Sequence, residues 1–383
     1  MRDTFAHLDD QVYRLRAAAT LLDVSENTLR GYLKESEIEV RRQTDTNPKS
    51  PAVRLFTLQN IFDIAAWRRK QGFVKPVSDR PIMIAVDIIK GGTGKSTSTA
   101  EVGVQLALAG YRVLMIDLDS QANLTQLLGY ESDLDDEDAA ENDLSSEAIV
   151  QGTFASACAD WFEMNRPKGT TNQIGPCFKW PYGPNGPALI PSDTYFGDLE
   201  LAINGKSGVR ETIFRTLFEK AIKGEVPGFD IAQFDFILFD CPPATSFVAA
   251  NALAASDYIV APVKMDSFAV KGVSRLVGEI KIVEQVTGNR PKMVILPTHY
   301  SQNLQRVARM WRRMQAYRSS LLDDQLFIST SELFPKSLEL YMPLTLQSPS
   351  SAPVQEYRRF TEQLLRKISS DLASKSTTEG KAA

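Results

Sequence analysis

Cysteine is scarce in this chain and badly spaced for chemistry. Cys158, Cys177 and Cys241 are its only three in 383 residues; with an odd count and no C-x-x-C pair, neither a disulfide framework nor a zinc site is indicated. Long apolar runs are missing too. Nothing approaches the roughly 20 residues that cross a bilayer, and the opening M-R-D-T-F-A-H-L-D-D lacks a secretory apolar core. These absences predict a cytoplasmic protein with reduced thiols and little membrane affinity. There is no basic excess, the formal net charge being −4. That balance does not exclude a nucleic-acid partner, because nine acids and no base fall between Glu131 and Glu147, so basic patches have to be judged locally.

What is present centres on Ile82 to Thr97, I-M-I-A-V-D-I-I-K-G-G-T-G-K-S-T. An apolar, β-branched run that breaks into glycines and ends on Lys-Ser predicts a strand, a phosphate-binding loop and a helix starting near Ser96. Gly91, Gly92 and Gly94 free the backbone of Thr93 and its neighbours to turn N–H groups toward phosphate oxygens at a helix N-terminus. Lys95 would reach the β- and γ-phosphates, and the hydroxyl of Ser96, next to Thr97, would ligate Mg²⁺. The expected ligand is a nucleoside triphosphate.

The general phosphate-loop pattern asks for glycine at position 89, where this chain has Ile89, and an additional lysine, Lys90, precedes the double glycine. This K-G-G-x-G-K-[ST] form resembles the deviant Walker A motif of the ParA/MinD ATPases. The resemblance implies ATP as ligand and a sandwich homodimer in which Lys90 reaches the partner's nucleotide. Further segments extend it. G-Y-R-V-L-M-I-D-L-D-S-Q-A-N-L-T is similar to the family's second nucleotide motif, which implies that Asp119 activates the attacking water and that Asp117 supports Mg²⁺ or the switch. F-D-F-I-L-F-D-C-P-P resembles the third, with Asp240 as the Walker B-type carboxylate holding Mg²⁺ through water. Lys90, Lys95 and Asp119 are thus the expected catalytic residues, and Ser96, Asp117 and Asp240 the metal set. The expected fold is α/β, a P-loop doubly wound, mostly parallel sheet over residues 82–370, with a disordered tail at 371–383. Residues 130–187 are acidic, then rich in proline and glycine, and predict an irregular insertion.

Ahead of this lies a different pattern. Residues 12–22 and 26–34 read as short helices around an Asp-Val-Ser turn, with Ser25 as cap. A polar stretch, a short V-R-L-F strand and a third helix from Thr57 to Lys70 follow. The order, with S-E-N-T-L-R-G-Y-L and R-L-F-T-L-Q-N-I, resembles a MerR-type winged helix, so residues 1–72 are expected to read an operator and 73–81 to be a linker. Asn27, Arg30 and Lys34 would face a major groove, while Arg41, Arg42 and Lys49 would hold phosphates. Residues 1–75 carry 13 bases against 10 acids, which permits DNA binding without demanding it. A three-helix interaction domain fits the same pattern. A second candidate DNA surface is Asn303 to Arg318, where Arg306, Arg309 and Arg313 recur at helical spacing.

With the winged helix included, the chain is most similar to the longer plasmid-partition members, SopA-like ParA proteins and the RepA proteins of repABC replicons. The resemblance implies an ATP-bound dimer on nonspecific DNA, associated with the nucleoid, and slow hydrolysis stimulated by a ParB-like centromere-binding partner. A nucleotide-responsive transcription regulator and a positioning ATPase for another cargo are the alternatives. The amphipathic tail around residues 354–368 leaves a membrane-targeting helix open but fits packing on the core better.

Overall fold

The computed structural model describes residues 11–46, 51–134, 137, 141, 145–159, 175–205, 210–301, 305–323 and 325–379. Six parallel strands form the central sheet: β3 (Ile82–Val86), β4 (Val113–Asp117), β5 (Ala188–Ile190), β6 (Phe236–Asp240), β7 (Tyr258–Lys264) and β8 (Lys292–Thr298), in the order β5-β4-β6-β3-β7-β8. Apart from the ends of β7 and β8 their residues are buried, as near-continuous apolar runs covered on both faces require. In register, Val86 pairs with Asp240 and Asp240 with Asp117, so β3, β6 and β4 end together at one carboxyl edge. Open α/β sheets bind ligands at that edge.

The N-terminal elements precede the sheet. Strand β1 (Val12–Tyr13) pairs antiparallel with β2 (Phe56–Thr57), and helices α1 (Leu15–Leu21), α2 (Glu26–Glu35) and α3 (Leu58–Lys70), with a single helical turn at Gln43–Thr46, make up the rest of the unit. Val12, expected in the first helix, lies in β1 instead, because pairing with Thr57 claims its backbone. Ser25 caps α2 by accepting from the Thr28 N–H, and Thr57 and Asn60 form a capping box on α3. Arg42 bridges Arg54 in a short antiparallel ladder.

Helix α4 (Lys95–Leu108) follows β3 and lies on β4 so closely that a Cβ on Gly103 would stand 2.5 Å from the Met115 sulfur. Around the sheet pack α5 (Phe247–Ala255), α6 (Ala269–Thr287), α7 (Gln305–Met314) and the long α8 (Ala352–Glu379). Two results depart from the sequence reading. Helix α8 continues through Glu379, where a disordered tail was expected from 371; Asp371 pairs with Lys292 and Lys367 and accepts from the Tyr258 hydroxyl, which ties that turn down. The insertion is only partly irregular: Phe154–Ala157 forms a capped helical turn, and Phe154, Cys158 and Cys177 are buried in the core.

The N-terminal unit also shares one continuous apolar cluster with the sheet. Phe62 stacks on Tyr182 at 5.7 Å, Arg69 pairs with Asp235, the Tyr13 hydroxyl donates to the Leu346 carbonyl, and Arg358 on α8 donates to the Thr20 carbonyl at 2.6 Å.

Candidate active site

The loop between β3 and α4 has the backbone that its glycines permit. Gly92 and Gly94 sit at φ 65° and 87°, in the left-handed region, and a Cβ at either would meet nothing within 4 Å. Open space over a helix N-terminus is what an anion needs. Lys95 is buried and folds back over its own loop, its Nζ donating to the Lys90 carbonyl at 3.2 Å. Thr93 is pinned from behind, its carbonyl accepting from the Thr298 hydroxyl on β8, while its own buried Oγ1 has no partner among the described residues.

Carboxylates crowd the adjoining strand ends. Asp117 and Asp240 are fully buried and Asp119 nearly so. Burial raises the Asp240 carboxyl well above the usual range, and the neighbouring Asp117 charge adds to it. Its Oδ1 accepts from the Thr99 hydroxyl at 3.2 Å; its Oδ2 has no partner among the described residues. Asp117 differs. Its Oδ1 accepts from the Asp119 N–H, and its Oδ2 from both the N–H and the hydroxyl of Thr125. It therefore braces the turn that carries Asp119. Asp119 accepts from the Gln121 N–H at 3.0 Å just before Ala122, whose φ of 50° bends the chain away.

The Asp240 carboxylate, which reaches the Ser96 hydroxyl and keeps one buried oxygen without a partner among the described residues, suits Mg²⁺, which takes one or two protein oxygens and fills its octahedron with water and phosphate. Among the described residues no cluster of three or more His, Cys, Asp or Glu could hold a metal by itself, and a Mg²⁺–phosphate site needs none.

Asp87, unremarked in the sequence, belongs here too. It is buried directly after β3 with Oδ2 unpartnered among the described residues, and burial, reinforced by Glu279 and opposed by Lys95, pushes its carboxyl up to about 7. The signal was available: an acid inside an apolar run, V-D-I-I. Beside the loop opens a cavity of about 340 Å³, lined in part by Thr97, His299, Phe334 and Pro335.

Lys90 sits apart from the phosphate cradle. Its ammonium pairs with Asp266, after β7, and lies 5.5 Å from the Phe268 ring centroid.

The family model of the AAA_31 AAA domain matches residues 82–294, more than half of the chain. The chain belongs to the ParA family of partition ATPases. Among relatives of this ParA-type chain, Soj, the sporulation initiation inhibitor protein of Bacillus subtilis, is 27% identical over 203 residues, 53% of this chain and 66% of Soj. A ParA family protein of Chlamydia pneumoniae is 32% identical over 201 residues, covering 52% and 64%. The alignments thus span just under two thirds of those relatives. A plasmid partition protein of Borrelia burgdorferi, solved with AMPPNP, superposes with a TM-score of 0.54 at 19% identity, over 75% of this chain and 99% of that one. At that identity the likeness speaks for the fold.

The expected DNA-facing residues lie away from this ParA-type site. Asn27, Arg30 and Lys34 are exposed on α2, and Arg30 donates to Asn27 and Glu26 of its own helix. Arg41 and Arg42 are exposed on the short ladder, and Lys49 lies outside the described residues. Arg309 and Arg313 are exposed on α7 over buried Val307, Met310 and Met314, whereas the Arg306 side chain falls outside the described residues. Helix α7 stops at Met314 and passes into a 3₁₀ turn, shorter than the helix expected to Arg318.

No helix among the described residues is long and apolar enough to cross a membrane.

Proposed function

We propose that this protein is a Mg²⁺-dependent ATPase that works as a DNA-segregation switch: an ATP-bound homodimer on nonspecific DNA, discharged by a ParB-like centromere-binding partner. The observation that carries the reading is the grouping of the Gly92–Gly94 loop, Lys95, Asp119 and Asp240 at one sheet edge, with a second lysine, Lys90, outside its own cradle. Bound ATP–Mg²⁺ would supply the γ-phosphoryl group for transfer to water. The loop N–H groups and Lys95 bind and neutralise the phosphates, Ser96 and Asp240 hold the metal, Asp119 orients the water, and Asp117 keeps Asp119 in place through its N–H. The cavity beside Thr97, lined by Phe334 and Pro335, offers an apolar slot for the base.

Lys90 gives the switch its dimer dependence. To complete a partner's site it must leave Asp266, so monomer and dimer hold it by different carboxylate or phosphate partners. Operator binding through Asn27, Arg30, Lys34, Arg41 and Arg42 would make the protein its own repressor. Helix α3 of that unit packs on α4, the helix that begins at Lys95, and this favours a nucleotide-dependent operator complex as a second output.

ATP turnover, measured with nonspecific DNA and the ParB-like partner together, tests the reading. Stimulation of tenfold or more is expected, and Asp119→Ala should keep ATP binding, lose the stimulation and hold the dimer on DNA. Turnover indifferent to both additions would overturn the switch in favour of a nucleotide-responsive regulator; full turnover by Asp119→Ala would remove its catalytic role.

A further inference from the structure

A second cavity lies at the opposite edge of the sheet. About 440 Å³ opens between the C-terminal end of α3, the chain entering β4, and the end of the insertion. Its wall carries three cationic side chains, Arg69, Lys70 and Arg112, and three aromatic ones, Tyr111, Trp180 and Phe234. The rings are ordered: Trp180 stacks on Phe234 with centroids 6.2 Å apart and planes 23° from parallel, and Phe178 backs Phe234 from 6.1 Å at 5°. The Arg112 guanidinium lies 5.8 Å from the Phe234 centroid.

The charges divide into a spent pair and an available pair. Asp235 is saturated, taking Arg69 through both oxygens and the Arg112 N–H at 2.7 Å. Arg112 uses Nη2 on Gln233, and neither its Nε and Nη1 nor the Lys70 ammonium has a partner among the described residues. Two cations left over beside a stacked aromatic wall, in a recess of drug-ligand size, match a ligand with a flat ring and a negative group. None of these residues serves the phosphate loop, which is at the other end of the strands.

We propose that this cavity is a second ligand site, for an aromatic anion of the nucleoside monophosphate class. The ring would extend the Trp180–Phe234 stack and the phosphate would engage Lys70 and Arg112. Because α3 supplies one wall and the sheet and insertion supply the others, an occupied site holds the N-terminal unit to the ATPase core. That gives the end of the insertion a role that the ATPase chemistry leaves unassigned.

The test uses the full chain carrying Lys95→Ala, so that the phosphate loop does not contribute. Equilibrium dialysis against AMP, GMP, CMP and UMP up to 1 mM should find at least one that binds at a single site. Adding Lys70→Ala and Arg112→Ala should weaken that binding tenfold or more, with the melting temperature recorded to show that the variant is folded; orthophosphate should compete at least tenfold less well than the nucleotide. Absence of binding by all four, undiminished binding by the charge variant, or orthophosphate competing equally would each overturn the proposal. The last outcome would leave a simple anion point in which the rings take no part.

Discussion

Helix α4 carries buried polar side chains along its whole length, and its two halves treat them differently. Near the N-terminus, Lys95 and Thr99 face Asp240, Asp87 and Thr93, where three buried oxygens have no partner among the described residues. Between Lys95 and Thr99, Ser98 turns the other way to meet the Tyr357 hydroxyl at 2.9 Å, and beyond them Glu101 accepts from the N–H groups of Leu344 and Thr345 and Gln105 donates to the Thr345 hydroxyl. The second group is as buried as the first, and its hydrogen bonds are made within the chain. A buried polar atom without a partner costs about 1–3 kcal/mol, so a fold retains such atoms where something outside the chain completes them. The contrast separates a binding edge from an architectural one on a single helix.

The largest effect should come from the open end. Lys95→Ala is expected to weaken ATP binding a hundredfold or more, about 3 kcal/mol, the loss of a charge-assisted hydrogen bond in a water-poor site. Calorimetric titration with ATP and Mg²⁺ measures it. Gln105→Ala, at the closed end, should leave that affinity within twofold while lowering the melting temperature. Equal losses from both would erase the distinction between the halves.

That contrast was half legible in the sequence. The loop could be read because Gly92, Gly94, Lys95 and Ser96 express a local backbone requirement, and the parallel sheet because its strands are continuous apolar runs. Pairings across long separations could not. Glu101 meets Leu344 from 243 residues away and Lys90 meets Asp266 from 176, and nothing in either neighbourhood announces the other. The resemblance assigns Asp117 to metal or switch, and its bracing of the following turn, with Oδ2 accepting from Thr125 eight residues on and Oδ1 from the Asp119 N–H, had no signal of its own. The insertion reads as irregular from its acids, prolines and glycines, while Phe154, after the acidic run, anchors part of it in the core.

Glu101 offers an intermediate effect with a definite sign. Burial, only partly offset by the bonds from Thr345 and Leu344, raises its carboxyl to about 7, against an ordinary 4.5. Between those values the folded chain holds a proton that the unfolded chain has released, so stability falls as pH rises through 7. From pH 6 to pH 8 this one group accounts for about 1.4 kcal/mol, if it titrates near 7. Glu101→Gln should remove that portion of the slope in denaturant titrations at the two pH values. Added ATP–Mg²⁺ should leave the Glu101 portion in place, because the ligand completes only the other half of the helix. A slope unchanged by Glu101→Gln would show that the closed end does not titrate and that the acids of the open end carry the whole dependence.

The last effect probes how far the closed half reaches. Arg358, on α8 behind α4, donates to the Thr20 carbonyl at 2.6 Å and lies 3.4 Å from Asp23, so it ties the tail helix to the turn between α1 and α2. Arg358→Ala removes the short bond to the Thr20 carbonyl and the longer ones to the Leu21 carbonyl and Asp23, and should cost about 1–3 kcal/mol, seen as a melting temperature lower by a few degrees. Limited proteolysis should then cut more readily within residues 11–81, because the N-terminal unit loses a tether while its apolar contacts with α4 persist. ATP affinity should stay within twofold, since no atom of the phosphate edge touches Arg358. A shift of fivefold or more would mean that the two halves of α4 are mechanically joined, and that docking of the N-terminal unit sets the shape of the nucleotide loop.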